Sequence, residues 1–287
     1  MFSNKKTARY NRLLAAGCVL IIFPCFSWGE TVETPAWIVS FAESIYDAWY
    51  TGKPMPQISG VHPNASMEEA YKIQKEFVSR IMESEEIGGY KAAGVANPAP
   101  DHPLTAVMPA SGILYAKNKI VIDLSEDPTR HVETEIGYVF GKAIREPLTD
   151  VDLLRECVKA VTAIVEIPGG AVEKRQPGTE NDIIAWNINA KAMISGTEYT
   201  PKEINPDAVT IVLKHNGKVV NTATGDKAAG GQWNTLLKTV NTILNQGYSI
   251  QPGHIITNGA LGKILKAVPG QYHADFGDLG VIVFEMQ

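Results

Sequence analysis

Residues 35–51, PAWIVSFAESIYDAWYT, repeat large apolar side chains every fourth position: Trp37, Phe41, Ile45 and Trp49. That spacing predicts an amphipathic helix with one buried face. The segment 63–82, PNASMEEAYKIQKEFVSRIM, predicts a second helix: Ser66 and Glu69 have capping-box spacing, and Ala70, Ile73, Phe77 and Ile81 form its stripe. From Gly88 the texture changes to GGYKAAGVANPAPDHP, whose Gly, Ala and Pro mark strand ends and loops. Strand-like runs follow at 112–122 (GILYAKNKIVI), 132–140 (VETEIGYVF) and 160–168 (AVTAIVEIP). A short helix, DVDLLRECVKA, precedes the last of these, with Thr149 or Asp150 as its N-cap. Residues 208–225 predict a hairpin turning at Asn216-Gly217, a pair suited to a type I′ turn. Trp233, Leu236, Leu237, Val240, Ile243 and Leu244 align on a helix over 232–246, with Gly247 at the expected stop. Strands around HIITNGA and GVIVFEM close the chain. The sum is an α+β protein, helical first and β-rich afterwards.

Composition changes this picture mainly at the N-terminus. Lys5, Lys6, Arg9 and Arg12 precede the apolar run LLAAGCVLIIFPCFSW. A basic segment followed by a short apolar one, with small Ser27 and Gly29 before Glu30, is the pattern of a secretory signal. The run is shorter than the roughly 18–20 residues of a spanning helix, and Pro24 interrupts it. Cleavage is therefore expected over an uncleaved anchor, and over a lipoprotein site at Cys18, because most of the apolar run follows that cysteine. The expected organisation is a signal over 1–29, a helical region over 30–110 and a β-rich core over 111–287, the last two forming one continuous domain. Such a chain is exported to the periplasm and is not stably inserted in a membrane. Once Cys18 and Cys25 leave, Cys157 has no partner for an internal disulfide, so stability rests on the core. The 287 residues carry a net charge of −5 and 45% hydrophobic residues, enough for a substantial core. With no basic stripe interleaved with aromatics, a nucleic-acid partner is not expected.

The candidate chemistry lies in the strand-like runs. Glu133 and Glu135 are two apart, so on a strand both point to one face. Glu166 ends the apolar run AVTAIVE. Two readings stand. The pair faces solvent on an edge strand and Glu166 caps a turn, or the three converge on a cation that offsets their mutual repulsion. Hard oxygen ligands, with no His/Cys constellation of zinc spacing, suit Mg2+ or Mn2+ better than Ca2+.

VETEIGYVFGK followed by AVTAIVEIPGG resembles the fumarylacetoacetate hydrolase superfamily, most of all its 2-keto-4-pentenoate hydratase and oxo-acid decarboxylase branch. SMEEAYKIQ (66–74), GGYKAAG (88–94) and PGQYHADFGDLGVIVFEM resemble other segments of that branch. The resemblance implies a mixed-sheet β-roll carrying a helical N-terminal part, and usually a homo-oligomer. It implies Mg2+ or Mn2+ held by Glu133, Glu135 and Glu166, and a 2-oxo or 2-hydroxy-dienoic acid as substrate. Hydration would then pass through a metal-bound enolate. Lys91 matches the branch's loop lysine, a substrate-binding or proton-shuttling group, and Asn187 matches a candidate substrate-binding asparagine. Two departures matter. Ala110 and Ser111 stand where the branch carries loop aspartates, and Trp186 replaces an aspartate before Asn187. Asp101, His102 and Lys191 are possible substitutes for the missing proton carriers. A decarboxylase, a carbon–carbon hydrolase of the same superfamily, and a non-catalytic metal-dependent binder of oxo-acids remain open alternatives.

Overall fold

The computed structural model describes residues 34–93, 102–117, 119–172, 178–228 and 230–287. The expected signal and Asp101 lie outside them; everything below concerns the compact unit Thr34–Gln287. Among the described residues no helix is long and apolar enough to cross a membrane.

The helices are α1 (Ala36–Tyr50), α2 (Ile58–Val61), α3 (Met67–Ile81), α4 (Val151–Cys157), α5 (Glu180–Ala185) and α6 (Gln232–Asn245). Helix α1 buries Ile38, Phe41, Ala42, Ile45 and Ala48. Trp37 and Trp49 sit at the margins of that face, where Trp37 rests 4.1 Å from the His62 ring. The α3 capping box forms as expected: Glu69 N donates to Ser66 Oγ at 3.2 Å, and Ser66 N donates to Glu69 Oε2 at 2.8 Å. Its four expected stripe residues are all buried. Of the two candidate caps for α4, Asp150 serves, accepting from Leu153 N at 2.9 Å. Cys157, at the end of α4, is partly buried against the core, and burial raises its thiol pKa.

The strands are β1 (Ile87–Ala93), β2 (Leu104–Pro109), β3 (Ile113–Tyr115), β4 (Ile120–Ile122), β5 (His131–Phe140), β6 (Val158–Ile167), β7 (Ala192–Tyr199), β8 (Thr210–His215), β9 (Lys218–Thr224), β10 (Ile255–Thr257), β11 (Leu265–Lys266), β12 (Gly270–Asp275) and β13 (Val281–Met286). One sheet runs β2-β1-β10-β5-β6-β7-β3 with β11 on β5, and curls into a half-barrel. The other runs β4-β13-β12-β8-β9. The β8–β9 hairpin turns at Asn216 (φ 47°) and Gly217 (φ 79°), the left-handed pair that a type I′ turn requires.

One face of the large sheet, with Val132, Ile136, Tyr138 and Phe140 of β5, packs on α6 and on Tyr272, Ile282 and Phe284 of the smaller sheet. The opposite face carries a second core: Ala106, Met108, Val139, Ile164, Met193 and Ile255. Helices α1, α2, α3 and α5 close on a third.

Two features differ from the sequence expectation. The helical region ends at Ile81, and β1 and β2 join the large sheet beside β10. The glycines that suggested loops are instead a packing requirement, since a Cβ at Gly89 would lie 1.9 Å from Ile255 O. The run at 112–122 is not one strand either. It divides into β3, pairing β7, and β4, pairing β13 in the other sheet.

Candidate metal centre

Strands β5 and β6 are buried on both faces over most of their length, which removes the solvent-facing edge reading of the two glutamates. Glu133 is 8% exposed, and Glu135 and Glu166 are 0% exposed. The antiparallel register pairs Glu133 with Glu166 and Glu135 with Ile164, so all three carboxylates share the half-barrel's smaller-core face. One oxygen from each lies within 4.8 Å of the others, and among the described residues these three form the one such acidic group.

Lys91 reaches this group from β1. Two strands, β10 and β5, stand between β1 and β6, a separation of roughly 14 Å on a flat sheet. The curl and the length of the lysine side chain close it: Nζ lies 2.7 Å from Glu166 Oε1, and Lys91 is 3% exposed. In register between them are Thr257 of β10, opposite Lys91, and Gly137 of β5, opposite Thr257. A Cβ at Gly137 would lie 2.5 Å from the Ile164 side chain, so this floor of the site stays bare.

The electrostatics are unbalanced. Three carboxylates face one ammonium: Lys91 meets Glu166 Oε1, the Thr257 hydroxyl stands beside Glu135, and the remaining oxygens of Glu135 and Glu166 have no donor among the described residues. The Thr257 hydroxyl is likewise buried, and its influence on Glu135 is the weakest of those acting on that carboxyl. Burial, then the charge of Glu166, pushes the Glu133 pKa to about 7 against the pull of Lys91. Burial, Glu166 and Glu133 push that of Glu135 well above the usual carboxylate range. For Lys91 burial works downward, but the three carboxylates outweigh it and the pKa rises. Unpaired buried charge on this scale costs several kcal/mol unless protons or a cation offset it. Hard, anionic, unpartnered oxygens are the donor set that suits a hard divalent cation such as Mg2+ or Mn2+.

The other sequence candidates that the structure describes have partners of their own. Asn187 opens a turn in which three successive residues, Asn187, Ile188 and Asn189, have φ of 52°, 49° and 55°. Its amide is engaged at both ends by one backbone unit, accepting from Val107 N at 2.9 Å and donating to Val107 O at 2.8 Å. It thereby ties this turn to β2, whose Ala106 is the register partner of Lys91. Trp186 donates through Nε1 to Pro56 O at 2.7 Å and packs among the helices. Ser111 is exposed and donates to Glu85 Oε1 at 2.8 Å, and His102 is exposed as well. Lys191 Nζ lies 4.1 Å from the centre of the Trp49 ring. Thr257 escaped the sequence reading. Its place on the site face follows from the alternation of Ile255 and Thr257, but only once the pairing of β10 with β1 is known.

Residues 82–285 match the family described as fumarylacetoacetate (FAA) hydrolase C-terminal. The chain is 27% identical over 244 residues to a 2-keto-4-pentenoate hydratase of Paraburkholderia xenovorans, covering 83% of this chain and 90% of that protein. It is 23% identical over 259 residues to a 4-oxalocrotonate decarboxylase of a Pseudomonas species, covering 86% and 97% respectively. Among solved structures, a 4-oxalocrotonate decarboxylase of Pseudomonas putida complexed with magnesium and adipate superposes with a TM-score of 0.80 at 18% identity, covering 88% of this chain and 97% of that one.

Proposed function

The chain belongs to the fumarylacetoacetate hydrolase family, and from that premise we propose that it is a divalent-metal-dependent hydratase of 2-hydroxy-dienoate or 2-oxo-alkenoate acids. The observation that carries the reading is the buried group of Glu133, Glu135 and Glu166, whose unmet oxygens call for a cation. These three would hold Mg2+ or Mn2+. When bound, such an ion supplies Lewis acidity beside the substrate's 2-oxygen, where negative charge develops as the dienol ketonises. The relatives named as hydratases and as decarboxylases support this substrate class.

The chain's own groups do the rest. Lys91 Nζ, in contact with Glu166, offers hydrogen bonds and positive charge to a substrate carboxylate and is positioned to carry a proton at that atom. The Thr257 hydroxyl, beside Glu135 and in register with Lys91, is a second polar group on the site face. The apolar floor of Ile164, Met193 and Ile255 keeps bulk water from the carboxylates and strengthens every charge interaction there. The Ala110–Gly112 turn supplies no carboxylate of its own, and the acid that meets it is Glu85, bound to Ser111. The proton work of loop aspartates therefore falls to other groups in this chain.

The test is steady-state turnover of 2-hydroxypenta-2,4-dienoate with Mg2+ or Mn2+. Water addition abolished by chelation supports the hydratase. Release of carbon dioxide from a 2-oxo diacid points to the decarboxylase of the same branch. Metal-dependent oxalate binding with no turnover of any dienoate or diketone refutes catalysis and leaves an oxo-acid binder.

A further inference from the structure

A cavity of about 370 Å³ opens beside the start of β7. Its wall includes Arg130, Lys191, Trp49 and the acids Glu85, Asp123 and Glu126, and none of the three buried glutamates lines it. Arg130 is 7% exposed, and its Nε is buried with no hydrogen-bond partner among the described residues. Glu126, whose side chain is 72% exposed, lies 3.8 Å from Nη2, and the charge of Arg130 also reaches the exposed Asp123. A Cβ at Gly169 would lie 3.3 Å from Arg130 Cγ, so the absence of a side chain there gives the arginine room.

Lys191 makes no ion pair among the described residues and rests on the Trp49 ring. Burial, and after it the charge of Arg130, lowers its pKa. The remaining acids are engaged at the rim: Glu85 accepts from Ser111 Oγ, and the exposed Asp123 accepts from Ser125 N. Two cations thus share a cavity in which no carboxylate satisfies the buried guanidinium nitrogen. A planar guanidinium with a free N–H edge suits a carboxylate or phosphate, and an ammonium beside an aromatic wall adds charge without geometry. The volume lies at the small end of the range for ligand pockets, about 300–1,000 Å³.

We propose that this cavity is a binding site for a small oxyanion, a carboxylate or a phosphate, held between Arg130 and Lys191 and distinct from the carboxylate centre. Two sources share that chemistry: a distal carboxylate of the substrate, or a free anion.

The experiment titrates inorganic phosphate into the full, Mg2+-loaded chain by calorimetry. Saturable one-to-one binding is expected, weakened at least tenfold by Arg130→Met and by Lys191→Met. Arg130→Lys, which keeps the charge and loses the fork, should weaken it less, and it replaces the methionine variant if that one fails to fold. Glu135→Gln should leave phosphate binding unchanged, which separates this site from the metal reading. A kinetic arm identifies the source. If Arg130→Met raises KM tenfold for a 2-oxo-alkenoate bearing a distal carboxylate but not for its monocarboxylate counterpart, the anion is part of the substrate. If neither KM moves while phosphate binding is lost, the site takes a free anion. Absence of saturable binding, or binding lost in Glu135→Gln and retained in Arg130→Met, overturns the proposal.

Discussion

The stability effect of Glu135→Gln should depend on the cation and on pH. Without metal, Glu135 is a fully buried carboxylate with no cation of its own, beside two further acids. It can escape that position by staying protonated. The cost is about 1.36 kcal/mol for each pH unit above its ordinary value of 4.5. At pH 7.5 this limits the penalty to about 4 kcal/mol, and at pH 5.5 to about 1.4 kcal/mol. Glutamine has the same shape and no charge, and its amide can donate to neighbouring carboxylates. The metal-free variant should therefore be more stable than wild type at pH 7.5, by up to about 4 kcal/mol, or roughly 2–4 °C of Tm for each kcal/mol. The sign follows from linkage. A folded-state pKa raised above the unfolded value means the folded chain holds the extra proton, so wild-type stability falls as pH rises through that window. The advantage of glutamine should shrink at pH 5.5. With Mg2+ at 100 times its wild-type Kd, wild type gains about 2.7 kcal/mol. A variant binding 100-fold more weakly gains only about 0.4 kcal/mol. The measurements are Tm by scanning calorimetry with and without chelator at both pH values, and Mn2+ affinity by titration. A metal-free variant that melts at or below wild type at pH 7.5, with unchanged Mn2+ affinity, refutes the reasoning.

Three further outcomes are expected. Lys91→Met removes the one ammonium facing the buried carboxylates and should destabilise the metal-free chain by about 3–5 kcal/mol, read from the urea midpoint; saturating Mg2+ should recover part of the loss. His254 is buried, its Nδ1 accepts from Gln251 N at 3.2 Å, and burial lowers its pKa, so the unfolded chain binds its proton more readily; stability should drop as pH falls below about 6.5, and His254→Asn should flatten that slope in denaturation midpoints between pH 7.5 and 5.5. Mass spectrometry of the protein purified from the cells that make it should find a mature chain beginning near Glu30, whereas an intact Met1 on a soluble cytoplasmic protein counts against export.

Local physics made the helices and the hairpin legible. The stripes of α3 and α6, the Ser66–Glu69 box and the Asn216-Gly217 turn each depend on residues a few positions apart. The shared face of Glu133 and Glu135 is local in the same way, since a strand alternates by two. Their burial is not local. It follows from β5 standing between β10 and β6, partners that no periodicity names. Strand β1 was obscured because its glycines answer to distant chain, Gly88 to Ala110 and Ile113 and Gly89 to the Ile255 backbone, rather than to their neighbours in sequence. Strand β7 was invisible because its buried run, Ala192 to Ile194 and Ser195, lacks alternation. Lys91 came forward through family resemblance alone; its contact with Glu166 depends on curl across intervening strands. The pairing of Asn187 with Val107 could not be read from a turn-like sequence.

The parallel pairing of β1 with β10 has a consequence for how the protein is made. Lys91 joins the sheet that carries the glutamates only through Ile255–Thr257, which lie near the end of the chain. Synthesis delivers β1, β5 and β6 first, and they remain without their connecting strand until most of the polypeptide exists. A chain interrupted before Ile255 can pair β5 with β6 and bring its acids together, but it has no place to seat the lysine beside them. The centre is thus completed by the last portion of the protein, and truncated products carry its negative charges without the group that balances them.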